Sequence, residues 1–316
     1  MATWKLSIKP AAQKGYDAFS LCRKKSLVGV GWSYIFENRK IDSLEESYKW
    51  LNKDEGRIPS AVSKLMTEVA LGDCIWLHQD GDFYLCRITT NTPVLGPEIS
   101  DEFMKFDLGH ARHAYWVKVP RLLVSGRVQR CIIVSRTIQR IRSTHLEEEF
   151  FNYIHRELSK NRSWVPEIDH SHLLRELKSL GSSRLLNILS PDDWEDIVAA
   201  YLQSRGWTIV KSTCFRSNPE FEFLMAKPGP CYARVQVKTG NRRLDPSQYK
   251  KWVSENEQVF LFSTHHDPYS GEEQEGVHAL DHKDLLAWLY RNTWGLNTGV
   301  IVQIQLYSDM LRTQSS

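Results

Sequence analysis

The chain has 316 residues, about two domains' worth of sequence, each long enough to bury a core of its own. Its 41 Lys and Arg against 38 Asp and Glu leave a formal charge of +3, so a uniformly basic nucleic-acid coat is excluded and any such binding must come from local patches. No run of about 18 apolar residues exists and MATWKLSIKP lacks the apolar stretch of a secretory signal, which points to an unprocessed cytoplasmic protein with no membrane partner.

From Trp4 to about Val134 short apolar runs are broken by Gly, Asp, Asn and Pro: LVGVGWSYIF, DCIWLH, DFYLCRIT, AYWVKV and CIIV. These read as strands. Between the first two, DSLEESYKWLNK and PSAVSKLMTEVA carry apolar residues at three- and four-residue spacing, which predicts two helices over one side of a small barrel or sheet. QDGD at 79–82 reads as a hairpin turn.

After Ile141 the pattern turns helical. Thr144 with Glu147 forms a capping-box signal for LEEEFFNYIHRELSK, and HSHLLRELKSLG ends at Gly181 as a C-cap. A third helix, DDWEDIVAAYLQSR, starts from Ser190 as N-cap with Pro191 in its first turn. Then follow strands WTIVKS and FEFLMA, a Pro-Gly-Pro turn at 228–230, strand CYARVQVKT, a helix near SQYKKWVSEN, strands QVFLFST and VHAL, and a last helix DHKDLLAWLYRN, with fray expected after Leu311. The expected class is α/β overall: a β-barrel domain with helices over 1–142, a helical linker over 143–189, and an α/β domain with a central mixed sheet over 190–311.

Six cysteines (Cys22, Cys74, Cys86, Cys131, Cys214, Cys231) form no CxxC pair and no close Cys/His ligand set, so they read as reduced thiols. His110 and His113 read as surface histidines with no third metal ligand in view, and His265 and His266 as incidental. No small-molecule cofactor is expected.

Residues two apart on a strand share a face. Glu220 and Glu222 would therefore share one face of FEFLMA, with Phe221, Phe223 and Met225 opposite; Arg234, Gln236 and Lys238 would share a face of the following strand. A hairpin between these strands brings carboxylate to amide and ammonium, and Glu195 can join from the preceding helix beside its buried stripe of Trp194, Ile197, Val198 and Tyr201. Phosphodiester hydrolysis needs such parts: oxygens to hold Mg²⁺ and a Lys to orient water and balance charge on the pentavalent phosphate. An ordinary charged surface face is the competing account of the same spacing.

Over roughly 190–265 the chain resembles the Mrr-like branch of the PD-(D/E)XK restriction endonucleases, through DDWEDIVAAYLQSRGWTIV, EFEFLMA and YARVQVKTG. The resemblance implies Glu195 as helix acid, Glu222 as metal-binding acid, Gln236 in place of the usual acid, and Lys238 as catalytic lysine, with Mg²⁺ held by Glu222, Gln236 and Glu195. The departure is Glu222, where that family usually has Asp; Glu220 is a competing choice. Over about 1–140 the chain is similar to the EVE branch of the PUA-like superfamily, through LVGVGWSYIF, GDCIWLH and DFYLCRI. That similarity implies a modified-base cage with Trp32 as wall and Ser33 as polar contact, and with Trp76 and Trp116 as further candidate walls.

From Leu108 to Leu146 there is no Asp or Glu, whereas eight cations occur, among them Arg127, Arg130, Arg136 and Arg140 as candidate DNA-backbone contacts. The combined resemblance implies a modification-dependent, type IV-like DNA endonuclease acting on modified double-stranded DNA, with two copies pairing to cut both strands. A reader without catalysis, an antiphage nuclease without base selectivity, and an RNA target remain open on sequence alone.

Overall fold

The computed structural model describes residues 1–316 apart from 10, 134–135, 144, 162–163, 165–171, 214–220, 230, 241, 294–295 and 316; of 126, 130, 133 and 313–315 it describes the backbone alone. The chain divides into two compact units, Met1–Val165 and Pro166–Ser316. No helix among the described residues is long and apolar enough to cross a membrane.

The first unit contains β1 (Thr3–Leu6), α1 (Ala18–Lys24), β2 (Leu27–Val30), α2 (Leu44–Glu55), α3 (Ser60–Ser63), β3 (Cys74–Gln79), β4 (Asp82–Leu95), α4 (Gly96–Ile99), α5 (Phe103–Phe106), β5 (His110–Val119), α6 (Gly126–Ile133), β6 (Ile138–Ile141) and α7 (His145–Lys160). Its strands form one mixed sheet in the order β2-β5-β4-β3-β1-β6, parallel only between β1 and β3. These pairings leave β2 and β6 as edges, so the described sheet is open and the expected closed barrel is not formed. The QDGD hairpin is present: Gln79 pairs with Asp82, and Asp80 and Gly81 take φ of 52° and 85°, as a turn matching the strand twist requires.

Two apolar runs read as strands fold differently. LVGVGWSYIF stops being extended at Val30, because Trp32 turns left-handed (φ 65°, ψ 37°) and Ser33–Phe36 winds into a 3-10 turn. Ile133 and its predecessors belong to α6, and β6 comes instead from the following IQRI; Val134 lies outside the described residues. The core of this unit lies over the sheet and under α2, α3 and the π-turn Lys64–Glu68, with Leu51, Val62, Leu65, Ile75 and Leu77 fully buried.

The second unit contains α8 (Leu173–Ile188), α9 (Pro191–Ser204), β7 (Thr208–Ile209), β8 (Phe223–Lys227), β9 (Cys231–Lys238), β10 (Glu257–Ser263), β11 (Val277–Ala279), α10 (His282–Arg291) and α11 (Thr298–Ser315). Its mixed sheet runs β11-β10-β9-β8-β7, antiparallel at β7–β8 and β8–β9 and parallel at β9–β10 and β10–β11. Ser190 caps α9 as expected, and Asp193 closes the capping box by accepting from the Ser190 N–H and hydroxyl at 2.9 and 2.6 Å. The expected helix near SQYKKWVSEN is a 3-10 helix, Pro246–Trp252.

The segment 143–189 is not a separate linker. In α7, Phe151 packs edge-on against Trp76 of β3 and His155 bonds to the Tyr115 carbonyl of β5, so that helix belongs to the first unit. In α8, Glu176 meets Arg312 of α11 at 3.1 Å within the second unit. Gly181 does break the helix, at φ 72° and ψ 159°, but the chain resumes helical turns beyond it, so the glycine kinks α8 where a C-cap was expected. α11 was missed: VIVQIQL alternates like a strand, yet it is helical, with Val302, Ile304 and Tyr307 buried. The Thr144 capping signal lies outside the described residues.

Candidate active site and candidate base pocket

The β8–β9 register places Phe223 opposite Val235, so Glu222, one residue before β8, stands beside Gln236; its N–H donates to the Val235 carbonyl at 2.9 Å. Gln236 is 1% exposed and donates from Nε2 to Glu222 Oε1 at 2.8 Å and towards the Val237 carbonyl oxygen at 3.3 Å. Lys238 donates from Nζ to the same Glu222 Oε1 at 3.0 Å, both side chains being about one-quarter exposed. One carboxylate oxygen thus collects an amide and an ammonium from alternate positions of β9, as the period-two argument requires.

The same face explains the rest of the patch. Arg234 pairs with Glu257 at 2.7 Å and lies over the rings of Trp252 and Phe221 at 4.6 and 5.3 Å. Phe221 packs with Val259 and Leu261 on this face rather than with Phe223, because it precedes the strand and escapes its alternation. The opposite face is apolar: α9 packs against β9, and Trp194 meets Phe262 at 5.2 Å. Glu195 is half-buried on α9 beside the buried Trp194, Ile197, Val198 and Tyr201. Glu220 lies outside the described residues.

No group of three or more His, Cys, Asp or Glu side chains suited to a metal occurs among the described residues. The donors gathered here are instead the Glu222 carboxylate, the Gln236 amide and the Val237 carbonyl, all within reach of Gln236 Nε2. An all-oxygen set with one carboxylate fits a hard cation that keeps several waters, provided the Gln236 amide turns to present Oε1.

In the first unit, Trp32 is half-buried in its left-handed turn, a conformation that a bulky side chain adopts at a cost. Asp107, itself at φ 48°, holds the turn: its Oδ1 accepts from the Ser33 N–H at 3.1 Å and from the Ser33 hydroxyl at 3.0 Å. Gly31 is required there, since a Cβ on it would stand 2.6 Å from Asp107 Oδ2, and a Cβ on Gly109 would stand 2.7 Å from the Trp32 carbonyl oxygen. Beneath the turn, His110 is fully buried between Ser47 Oγ at 3.2 Å and the Gly31 carbonyl at 3.5 Å, and burial pushes its pKa down to about 4. The surface-histidine reading therefore fails for His110, although His113 is exposed.

Trp32, Tyr34, Asp107, Ser7, Lys9 and Thr137 line a cavity of about 260 Å³. Aromatic walls with a carboxylate and two hydroxyls suit a small planar polar ligand. Sequence reasoning missed Asp107, because only the fold brings it to the Trp32 turn. Of the other two proposed walls, Trp76 is fully buried and Trp116 is half-buried against the core. Trp76 is 0% exposed against Phe151, and Trp116 packs against Phe19 while its Nε1 donates to the Leu27 carbonyl at 2.9 Å.

The basic stretch also divides. Arg112 is buried and donates to the carbonyls of Leu65, Val69 and Thr90, holding the end of the π-turn. Arg127, expected to contact DNA, pairs with buried Glu147 at 3.2 Å and bonds the Arg142 carbonyl. Arg136 and Arg140 are exposed, and the Arg130 side chain lies outside the described residues.

No protein-family model matches the chain, and no curated protein matches it in sequence. Among solved structures it is similar to the MspJI restriction endonuclease in complex with a 27-mer oligonucleotide, at 12% identity and a TM-score of 0.28, covering 97% of this chain and 79% of that one. It is also similar to the DNA modification-dependent restriction endonuclease AspBHI, at 10% identity and a TM-score of 0.25, covering 77% of this chain and 69% of that one. Neither TM-score reaches the level from which a shared fold follows.

Proposed function

We propose that the chain is a Mg²⁺-dependent endodeoxyribonuclease that reads a modified base with its first unit and hydrolyses a phosphodiester with its second. The observation that carries the reading is the meeting of Gln236 Nε2 and Lys238 Nζ on Glu222 Oε1. Glu222, Gln236 through Oε1 and the Val237 carbonyl would hold the cation; α9, which carries Glu195, packs on the sheet's other face. Bound there, the cation supplies Lewis-acid charge stabilisation at the scissile phosphate.

The side chains do the remaining work. Lys238 Nζ would donate to a phosphate oxygen or orient the attacking water, and its charge would offset that of the pentavalent phosphate. Gln236 fixes the Glu222 rotamer through Nε2 before the cation binds and would turn Oε1 to the cation afterwards. In the first unit Trp32 stacks on a flipped base, and Asp107, already fixed by Ser33, accepts from the base's N–H groups. Stacking and hydrogen bonds must together offset a few kcal/mol of unstacking. With one site per chain, cutting both strands requires two copies.

The test incubates the protein and Lys238→Ala with Mg²⁺ and matched duplexes containing cytosine, 5-methylcytosine, 5-hydroxymethylcytosine or N6-methyladenine. Cleavage of one modified duplex by the parent, lost in the variant, supports the reading. No cleavage of any duplex sinks the nuclease; equal cleavage of all sinks base selectivity.

A further inference from the structure

Trp32 and Thr137 line a second cavity as well, of about 490 Å³, whose wall also carries Arg57, Lys64 and Arg136. These three come from different places in the chain: the turn after α2, the π-turn, and the segment before β6. Arg57 and Lys64 lie outside the acid-free stretch of the sequence, so only the fold brings them to Arg136.

Their state sets them apart from other cations of this unit. Arg39 pairs with Asp54 at 2.6 Å, Lys118 with Asp82 at 2.6 Å and Arg127 with Glu147 at 3.2 Å. Arg57, Lys64 and Arg136 have no ion pair and no side-chain hydrogen bond with any described residue. Glu55, the carboxylate on this wall, accepts from Tyr34 Oη at 2.6 Å. Three cations facing one cavity with a single carboxylate repel one another, and an anion entering it relieves that repulsion.

We infer that this second cavity is a phosphate-binding trough, in which Arg57, Lys64 and Arg136 hold backbone phosphates of the DNA strand whose base enters the smaller cavity across Trp32. The inference rests on the reading of the smaller cavity as a base site. A flipped nucleotide leaves its own and neighbouring phosphates at the pocket mouth, and Trp32 forms the wall between the two spaces.

The full chain is titrated, in EDTA to prevent cleavage, against fluorescent duplexes with and without the modified base, at salt concentrations from 50 to 200 mM, with Arg57→Ala/Lys64→Ala, Arg57→Lys/Lys64→Arg and Trp32→Ala beside the parent. The double alanine variant is expected to flatten the plot of log Kd against log salt by about 0.9 per lost phosphate contact. It should also weaken modified and unmodified DNA by the same factor, on the order of tenfold or more, while the charge-retaining variant keeps the parent slope. Trp32→Ala should keep the slope and lose the preference for modified DNA. An unchanged slope and affinity in the double alanine variant overturns the trough and leaves the base site standing. A flattened slope in a protein that never prefers modified DNA upholds phosphate binding there and overturns the base site.

Discussion

Lys238 Nζ lies 3.0 Å from Glu222 Oε1, the same oxygen that Gln236 reaches at 2.8 Å, so the ammonium is held at the carboxylate by a contact that a cation would replace. Substituting Lys238 by Ala should lower cleavage at least a hundredfold without changing the fold, as single-turnover rates and circular dichroism would show. Arg at the same position should not restore the rate, because the planar guanidinium does not occupy the place of a compact ammonium.

Gln236→Glu sets a second carboxylate beside Glu222 in a position only 1% exposed. Two buried carboxylates sharing the single Lys238 ammonium should destabilise the variant in EDTA by about 1–3 kcal/mol, and Mg²⁺ should recover most of that loss. Thermal melting with and without Mg²⁺ checks this; a variant whose melting temperature ignores Mg²⁺ speaks against a cation between these residues.

Asp107→Ala removes the acceptor from the Ser33 N–H and hydroxyl. The expected loss is about 1.5–3 kcal/mol by urea unfolding, together with loss of any preference for modified DNA. Trp32→Gly separates the two effects, because glycine relieves the left-handed strain of about 1–2 kcal/mol while deleting the ring. Its stability should stay within about 1 kcal/mol of the parent and its base preference should vanish.

Arg127→Ala removes the ion pair that Arg127 makes with buried Glu147, at an expected cost of about 1.5–3 kcal/mol. Its DNA-binding salt slope should equal the parent's. A flatter slope would restore Arg127 as a phosphate contact.

His110 is held neutral by burial, with a folded pKa of about 4 against about 6.5 when exposed. A depressed folded pKa means that the unfolded chain binds the proton first, so stability is full above pH 6.5 and falls as pH drops towards 4. Between pH 7 and pH 5 the loss from this residue is about 2 kcal/mol. Urea unfolding of the parent and His110→Gln at both pH values measures it, and an equal pH dependence in the two proteins would contradict the assignment.

The meeting of Glu222, Gln236 and Lys238 was legible because period-two alternation holds along β9: Gln236 and Lys238 share a face in sequence and in structure. Phe221 was misplaced because alternation was extended past the strand's first residue. Around Trp32, Gly31 signalled a close approach, but its partner is Asp107, 76 residues away, which no local pattern announces. Trp76 and Trp116 could not be told from pocket walls because composition records rings and not their burial. The basic stretch misled for a similar reason: charge density does not reveal that Arg112 is spent on backbone carbonyls and Arg127 on Glu147.

The central claim, that base reading and hydrolysis are separate acts of the two units, is tested most directly by measuring duplex binding in EDTA and cleavage in Mg²⁺ for Trp32→Ala and Lys238→Ala side by side. The account predicts that Lys238→Ala binds the modified duplex in preference to the unmodified one and cuts neither, whereas Trp32→Ala loses the preference and retains Mg²⁺-dependent cutting at high protein concentration. A Lys238→Ala protein that cuts like the parent, or a Trp32→Ala protein that still prefers the modified duplex, would contradict it.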